Sequence, residues 1–427
     1  ADRFTAITMW DGASGSEIRG MAVRSATTGI AISGVQDVVL EQVWVHDALL
    51  RGINVQNTLG PTSIAIRRSL LEDNVHFGIY LSGSEATIEQ VVVRNSIPLA
   101  SEGGRGVSAK DSDSDNAPSK LTLRRSLVEN NHDIGVFVGA SEATIEGVVV
   151  RGTLPRAMDL SGGRGVTIQR DEDGDARSTA IVKSSLIENN RDVGVFLGAS
   201  EATFEGIVVR GTLPRQSDEN TGRGMSLQEG DASVTSSLIE DNHDHGLYIG
   251  GASVTVEGVV VRRTLPRPSD QWFGRGIGIG QSTITNVPAI GTVVGSVIAQ
   301  NYESGVIVVA SSATLSGIVV RETLASAYDG TLGDGVVVVT ESPLAGAATV
   351  TSSRIENNER AGLASFAGDV GLGQTVLSCN AFDLNGELKG GEPFRFENLG
   401  GNVCGCAGPI DCAVRTSGLT PPSQPTE

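Results

Sequence analysis

The chain has 427 residues, of which 39% are hydrophobic, 4% aromatic and 19% charged, and its 50 acidic and 32 basic residues give a net charge of −18. That balance argues against a nucleic-acid binder, which carries a basic stripe. No run of 18 or more apolar residues is present, so no helical membrane span is expected, and the 55 glycines follow no G-X-Y period, which excludes collagen.

Internal repetition dominates the chain. Ser84–Ser96 reads SEATIEQVVVRNS, and the same unit returns as SEATIEGVVVRGTLPR over Ser141–Arg156, as SEATFEGIVVRGTLPR over Ser200–Arg215, and in worn form over Ala252–Arg267 and Ser312–Leu324. A second unit alternates with it: SLVENN at 126–131, SLIENN at 185–190, SLIEDN at 237–242 and SRIENN at 353–358. Gly-Arg-Gly followed by an apolar residue is a third marker, at Gly104, Gly163, Gly222 and Gly274. Thirteen glycines, each opening an apolar run, occur at Gly29, Gly52, Gly78, Gly106, Gly135, Gly165, Gly194, Gly224, Gly246, Gly276, Gly305, Gly335 and Gly362, spaced 22 to 30 residues apart.

The apolar runs are four or five residues long, rich in Val and Ile, and broken by Gly, Asn, Asp and Ser. Those are strand and turn signals, and no 3.6-residue periodicity competes with them. Short strands stacked on copies of themselves make an all-β parallel β-helix, a solenoid of about 13 coils with about 4.8 Å per coil and right-handed winding. Inward Val, Ile and Leu then stack into columns. Asn74, Asn131, Asn190, Asn242, Asn301 and Asn358 are expected to take the left-handed bends and to bond neighbouring coils, and the glycines to serve the same bends. On these repeats the chain resembles the right-handed parallel β-helix superfamily, the pectate-lyase-like group, and is similar to secreted β-helix repeat proteins of unassigned activity. The resemblance covers roughly residues 18–385 and is specific for fold rather than function.

The expected organisation is a β-helix over 1–375, a small cap over 376–415 and a disordered tail or linker over 416–427. All four cysteines (Cys379, Cys404, Cys406, Cys412) fall in the cap among Gly and Pro. Two disulfides are expected in preference to a Cys₄ zinc site, for which Cys-X-Cys is an awkward chelate. They imply an oxidising compartment, hence an extracellular or cell-surface location.

Candidate chemistry is sparse. Arg94, Arg151, Arg210, Arg262 and Arg321 end the VVVR strands, with Glu72, Glu129, Glu188, Glu240 and Glu356 on the coils between. Arg151, Arg210 and Arg262 read either as a ruled surface for an anionic polymer or as one column of an ion-pair ladder. The loops Asp111-Asp113-Asp115 and Asp171-Asp173-Asp175 alternate carboxylates as a Ca²⁺ site would, but the twelfth position of each carries Thr122 or Val182, not Glu. Asp241, His243, Asp244 and His245 form the best local cluster for a metal or a general base. Trp272 and Phe273 read as an exposed aromatic lip. Lyases of the resembled group imply Ca²⁺-binding Asp with an Arg or Lys base, and its hydrolases a Gly-His-Gly segment; Asp244-His245-Gly246 departs from the latter. The expected function is therefore a binding or structural module towards polysaccharide or extracellular matrix, the alternative being a polysaccharide lyase, hydrolase or epimerase. A cluster that does not repeat from coil to coil would favour the alternative.

Overall fold

The computed structural model of the chain describes residues 4–24, 26–99, 103–171, 175–408 and 410–422. Asp173 and the last five residues of the expected tail lie outside the described residues. Every regular element among the described residues is a β-strand, and none of them is a helix long and apolar enough to cross a membrane. Most turns of chain lay down three strands of six, five and three residues, as in Ile134–Gly139, Glu142–Glu146 and Val149–Arg151, and the turns at the two ends depart from that rhythm. The three resulting faces are termed A, B and C. Strands pair in parallel with their equivalents one turn on: Val136 with Val166, Thr144 with Ile181, Arg151 with Glu188.

The chain divides into two compact units, Ala1–Val208 with Arg215–Asp218, and Val209–Pro214 with Glu219–Glu427. In the first unit, face A runs from Thr5–Met9 to Val193–Gly198; in the second it runs from Arg223–Gln228 to Val414–Arg415. The solenoid has about 16 turns rather than 13. The three additional face A strands are Thr5–Met9, Phe382–Glu387 and Val414–Arg415. None carries a glycine at its second position, so the glycine marker passes over them.

The repeat sequence explains the faces. Along Glu142–Glu146, Ala143 and Ile145 point inward and are buried, while Glu142 and Glu146 are exposed, the alternation that a strand covering a core requires. Face A is different. Ile134–Gly139, His245–Gly250, Ser304–Val309 and Asp334–Val339 are buried at all six positions. Their outward side chains are covered too. In the second unit the outward residues Ile307, Val309, Val337, Val339, Ala364 and Phe366 form a second apolar cluster, against which Leu344, Phe382 and Leu419 pack.

The bends divide labour differently from expectation. Asn131 is buried within the stack: its amide donates to the Val93 carbonyl (3.1 Å) and its side-chain oxygen accepts from the Ser96 N–H (3.0 Å). The left-handed bend falls on the residue before it, Asn130 (φ 52°), as on Asn189 (φ 53°) before Asn190. The strand-opening glycines are also needed for a reason other than bending. A Cβ on Gly135 would lie 2.8 Å from the Gly165 carbonyl oxygen one turn on and 2.6 Å from Val150 Cγ1. The first glycine of Gly-Arg-Gly is the one in the left-handed region, as Gly163 (φ 93°) shows.

Two disulfides, Cys379–Cys406 and Cys404–Cys412, staple the C-terminal turns. The first residues of the expected tail fold back, with Thr416 Oγ1 donating to the Gly386 carbonyl (3.0 Å) and Ser417 N–H to Glu387 (2.7 Å).

Candidate functional site

The outer surface of face A carries a ladder that the sequence shows only as a spacing. The arginine of each Gly-Arg-Gly lies flat over an aromatic ring and pairs with an acid. Arg105 stands 4.5 Å over Phe137 and its Nε donates to Asp133 (2.8 Å); Arg164 stands 4.4 Å over Phe196 and donates to Asp192 (2.8 Å). In the second unit Arg223 stands 4.4 Å over Tyr248 and donates to Asp244 (2.5 Å), while Arg275 stands 4.4 Å over Phe273 and pairs with Glu303 (2.9 Å). The acid always follows the buried Asn by two residues (Asp133, Asp192, Asp244, Glu303), so the motif was readable as Asn-x-Asp/Glu paired with Gly-Arg-Gly. A planar guanidinium suits both the ring face and the carboxylate fork.

The ladder breaks in the second unit. The central outward column there reads Ser226, Tyr248, Gly278, Ile307, Val337. Gly278 and Gly280 leave a cleft of about 190 Å³, lined by His245, Tyr248, Arg275, Gln281, Thr283, Ile307, Val309 and Glu341 among others. His245 occupies the position at which other turns carry Phe77, Ile134, Val193 or Ser304. Its imidazole extends over Gly278, where a Cβ would fall 3.0 Å from Nε2. On its other side, Nδ1 lies 3.2 Å from Asp244 Oδ2. The ring also packs against Tyr248 (5.4 Å) and Phe273 (5.6 Å).

Electrostatics fix the protonation states. Burial pushes the His245 imidazole down to about 4, outweighing the upward pull of Asp244, so the ring is neutral at neutral pH. Burial alone would raise Asp244, but the charge of Arg223 and its hydrogen bond hold it well below the ordinary carboxylate range. The pair thus places a neutral imidazole beside a carboxylate, with no hydrogen bond made by its Nδ1 among the described residues.

The other candidate residues separate. His243 Nδ1 donates to the Thr212 carbonyl (3.0 Å), as His132 does to Ser96 (2.9 Å), so a histidine ties a loop in these two repeats, while the repeat between them carries Arg191 at that position. Asp241 bonds Arg263 (2.7 Å), which holds it below the usual carboxylate range, and Arg210 adds to that effect. Arg151 and Arg262 pair with Glu129 and Glu240 of the preceding turn, each at 2.8 Å. These partly exposed pairs are worth about 0–1 kcal/mol each. Phe273, expected at the surface, is 2% exposed and sandwiched between Arg267 (4.2 Å) and Arg275. Trp272 remains half-buried and stacks on the exposed Tyr328 at 4.7 Å. In the acidic loops Asp113 pairs with Lys110 (2.5 Å) and Asp115 accepts from Asn57 (3.0 Å). Burial and the charge of Asp171 raise Asp111, and Asp175 is exposed. Among the described residues no three His, Cys, Asp or Glu side chains converge as metal ligands.

Comparison with known proteins agrees with this architecture. A family model described as a right handed beta helix region matches residues 105–317. Among solved structures the chain is similar to the pectate lyase Pel9A, with 14% identity and a TM-score of 0.41, covering 79% of this chain and 70% of that one. It is similar to the periplasmic alginate epimerase AlgG, with 11% identity and a TM-score of 0.42, covering 86% and 77%. It is also similar to a chain of the Vag8–C1 inhibitor complex, with 13% identity and a TM-score of 0.47, covering 96% and 98%. No curated protein matches. The chain is a right-handed parallel β-helix. Its surface carries the interrupted arginine–aromatic ladder and the cleft over Gly278.

Proposed function

We propose that the protein is an extracytoplasmic carbohydrate-binding β-helix and that the cleft over Gly278 is its binding site. The observation that carries this reading is the break in the outer surface of face A in the second unit, where Gly278 follows Tyr248 and precedes Ile307. There an apolar wall of Ile307 and Val309 faces His245, Tyr248, Gln281, Thr283 and Glu341. An apolar wall with a few convergent polar groups is the general form of a small-molecule site, and it suits a sugar ring, with its C–H face and its hydroxyl edge. The volume is below the roughly 300 Å³ at which drug-sized pockets begin, so the cleft takes one sugar unit rather than a length of chain. The exposed Tyr328, stacked on Trp272, offers an aromatic face elsewhere on the same unit.

A second reading, a polysaccharide-modifying enzyme, is favoured by the neutral His245 imidazole, the form a general base takes, with the Asp244 carboxylate 3.2 Å from its Nδ1. Asp244, however, is also the counter-ion of Arg223. The distinguishing experiment uses Gly278→Ser, which places in the cleft the residue found at the equivalent Ser108 and Ser226. Binding of the intact protein to immobilised glycans is expected to fall at least about tenfold in this variant, with no product released by either protein. Unchanged binding would remove the cleft from consideration, and glycan products from the unmodified protein alone would establish the enzymatic reading.

A further inference from the structure

Every charged side chain that lines the cleft is already matched. The Arg275 guanidinium is fully buried; its Nε (3.0 Å) and Nη2 (2.9 Å) both meet Glu303 Oε2, and Phe273 covers one face. Glu303 is fully buried as well, and its other oxygen accepts the Phe273 N–H (2.7 Å). At the rim, Glu341 pairs with Lys389 Nζ (2.6 Å), which also donates to the Thr340 carbonyl (2.9 Å). Behind His245, Asp244 is engaged by Arg223.

Resting on the carbohydrate reading above, we infer that this cleft selects an uncharged sugar unit and excludes a uronate. A carboxylate brought into it would have to leave water without a counter-ion, or draw Arg275 from Glu303 and leave a buried acid unpaired, and both are unfavourable. Sugar hydroxyls face no such barrier. They exchange hydrogen bonds with water for hydrogen bonds with the Gln281 amide at the mouth of the cleft, at little net change. The lining therefore differs from an acid-binding site, in which a guanidinium stands ready for bidentate contact.

The test is isothermal titration of the full chain with uronate oligosaccharides, galacturonic, mannuronic and glucuronic, each beside its carboxyl-reduced neutral counterpart. The neutral member of any pair that binds is expected to bind at least about tenfold tighter. Equal or tighter binding of the acid member would overturn the inference while leaving the carbohydrate reading intact. Failure of every oligosaccharide, together with a neutral glucan and mannan set, would overturn both. Glu303→Gln keeps the shape and the acceptor for Phe273 but unmasks the Arg275 charge, and is expected to move the preference at least about tenfold towards the acid member. Glu341→Gln, at the exposed rim, unmasks Lys389 and is expected to move it the same way without touching the buried pair. No movement in either folded variant would show that charge matching does not set the preference.

Discussion

A histidine at position 245 stands where its repeat equivalents are mostly apolar, and this sets how the second unit responds to acid. Its folded-state pKa of about 4 lies below the value near 6.5 of an unperturbed imidazole, so the unfolded chain holds more protons between those limits. Stability is therefore expected to be lost progressively as pH falls from about 6.5 to about 4, with a slope of at most about 1.4 kcal/mol per pH unit from this residue. His243, lowered by burial, adds to the same trend. Urea midpoints measured across that window should show a clear decline, and His245→Gln should flatten it; an unchanged slope in the variant would count against a neutral buried imidazole. The His-Asp-His cluster was visible in the sequence, but its division was not. His243 follows a repeated pattern with His132, whereas only a contact with the glycine one turn later places His245 in the cleft. The burial of Phe273 was equally hidden, because nothing in the spacing of Arg267 and Arg275 marks either as a neighbour of its ring.

Among the strands, faces B and C were legible and face A was only half so. Alternating EATIE and the VVVR-to-Glu spacing encode one buried side and one solvated side, and the register pairs Arg94 with Glu72 and Arg151 with Glu129 accordingly. Four consecutive valines, Val336–Val339, cannot alternate, and a run buried on both sides has no periodicity to identify its second partner. The glycine that opens each face A strand is a steric requirement of close stacking. Gly135→Ala places a methyl group against the Gly165 carbonyl and Val150, and is expected to cost roughly 1–3 kcal/mol through overpacking. Denaturant unfolding checks this; an effect below about 0.5 kcal/mol, within the range of ordinary surface substitutions, would mean that the turns separate easily to admit a side chain.

For the molecule as a whole, repetition made the architecture readable long before any function, since a repeated pattern specifies stacking and a unique site must depart from it. The turn count fell short because the turns at the two ends give up the glycine marker, and the cysteines pointed correctly to two disulfides. Those bridges close segments of 27 and 8 residues. Loop-closure entropy assigns about 3.5 kcal/mol to the longer and about 2.5 kcal/mol to the shorter. Replacing Cys379 and Cys406 by serine should therefore lower the stability of the C-terminal turns more than replacing Cys404 and Cys412, as read by hydrogen exchange in residues 376–419. The reverse order would indicate that the shorter bridge holds a structure the chain cannot otherwise form.

The alternation of Arg and Glu down face C has a further consequence for how the chain finds its own order. Glu72, Arg94, Glu129, Arg151 and Glu188 follow one another at successive turns. A nascent strand that docks by skipping one neighbour meets its own sign of charge, while one that skips two meets the opposite sign and finds an almost identical sequence waiting. The column thus works as a parity check: odd errors are repelled, even ones pass. Trapped species that have looped out two coils together are the mistake this sequence is least equipped to refuse.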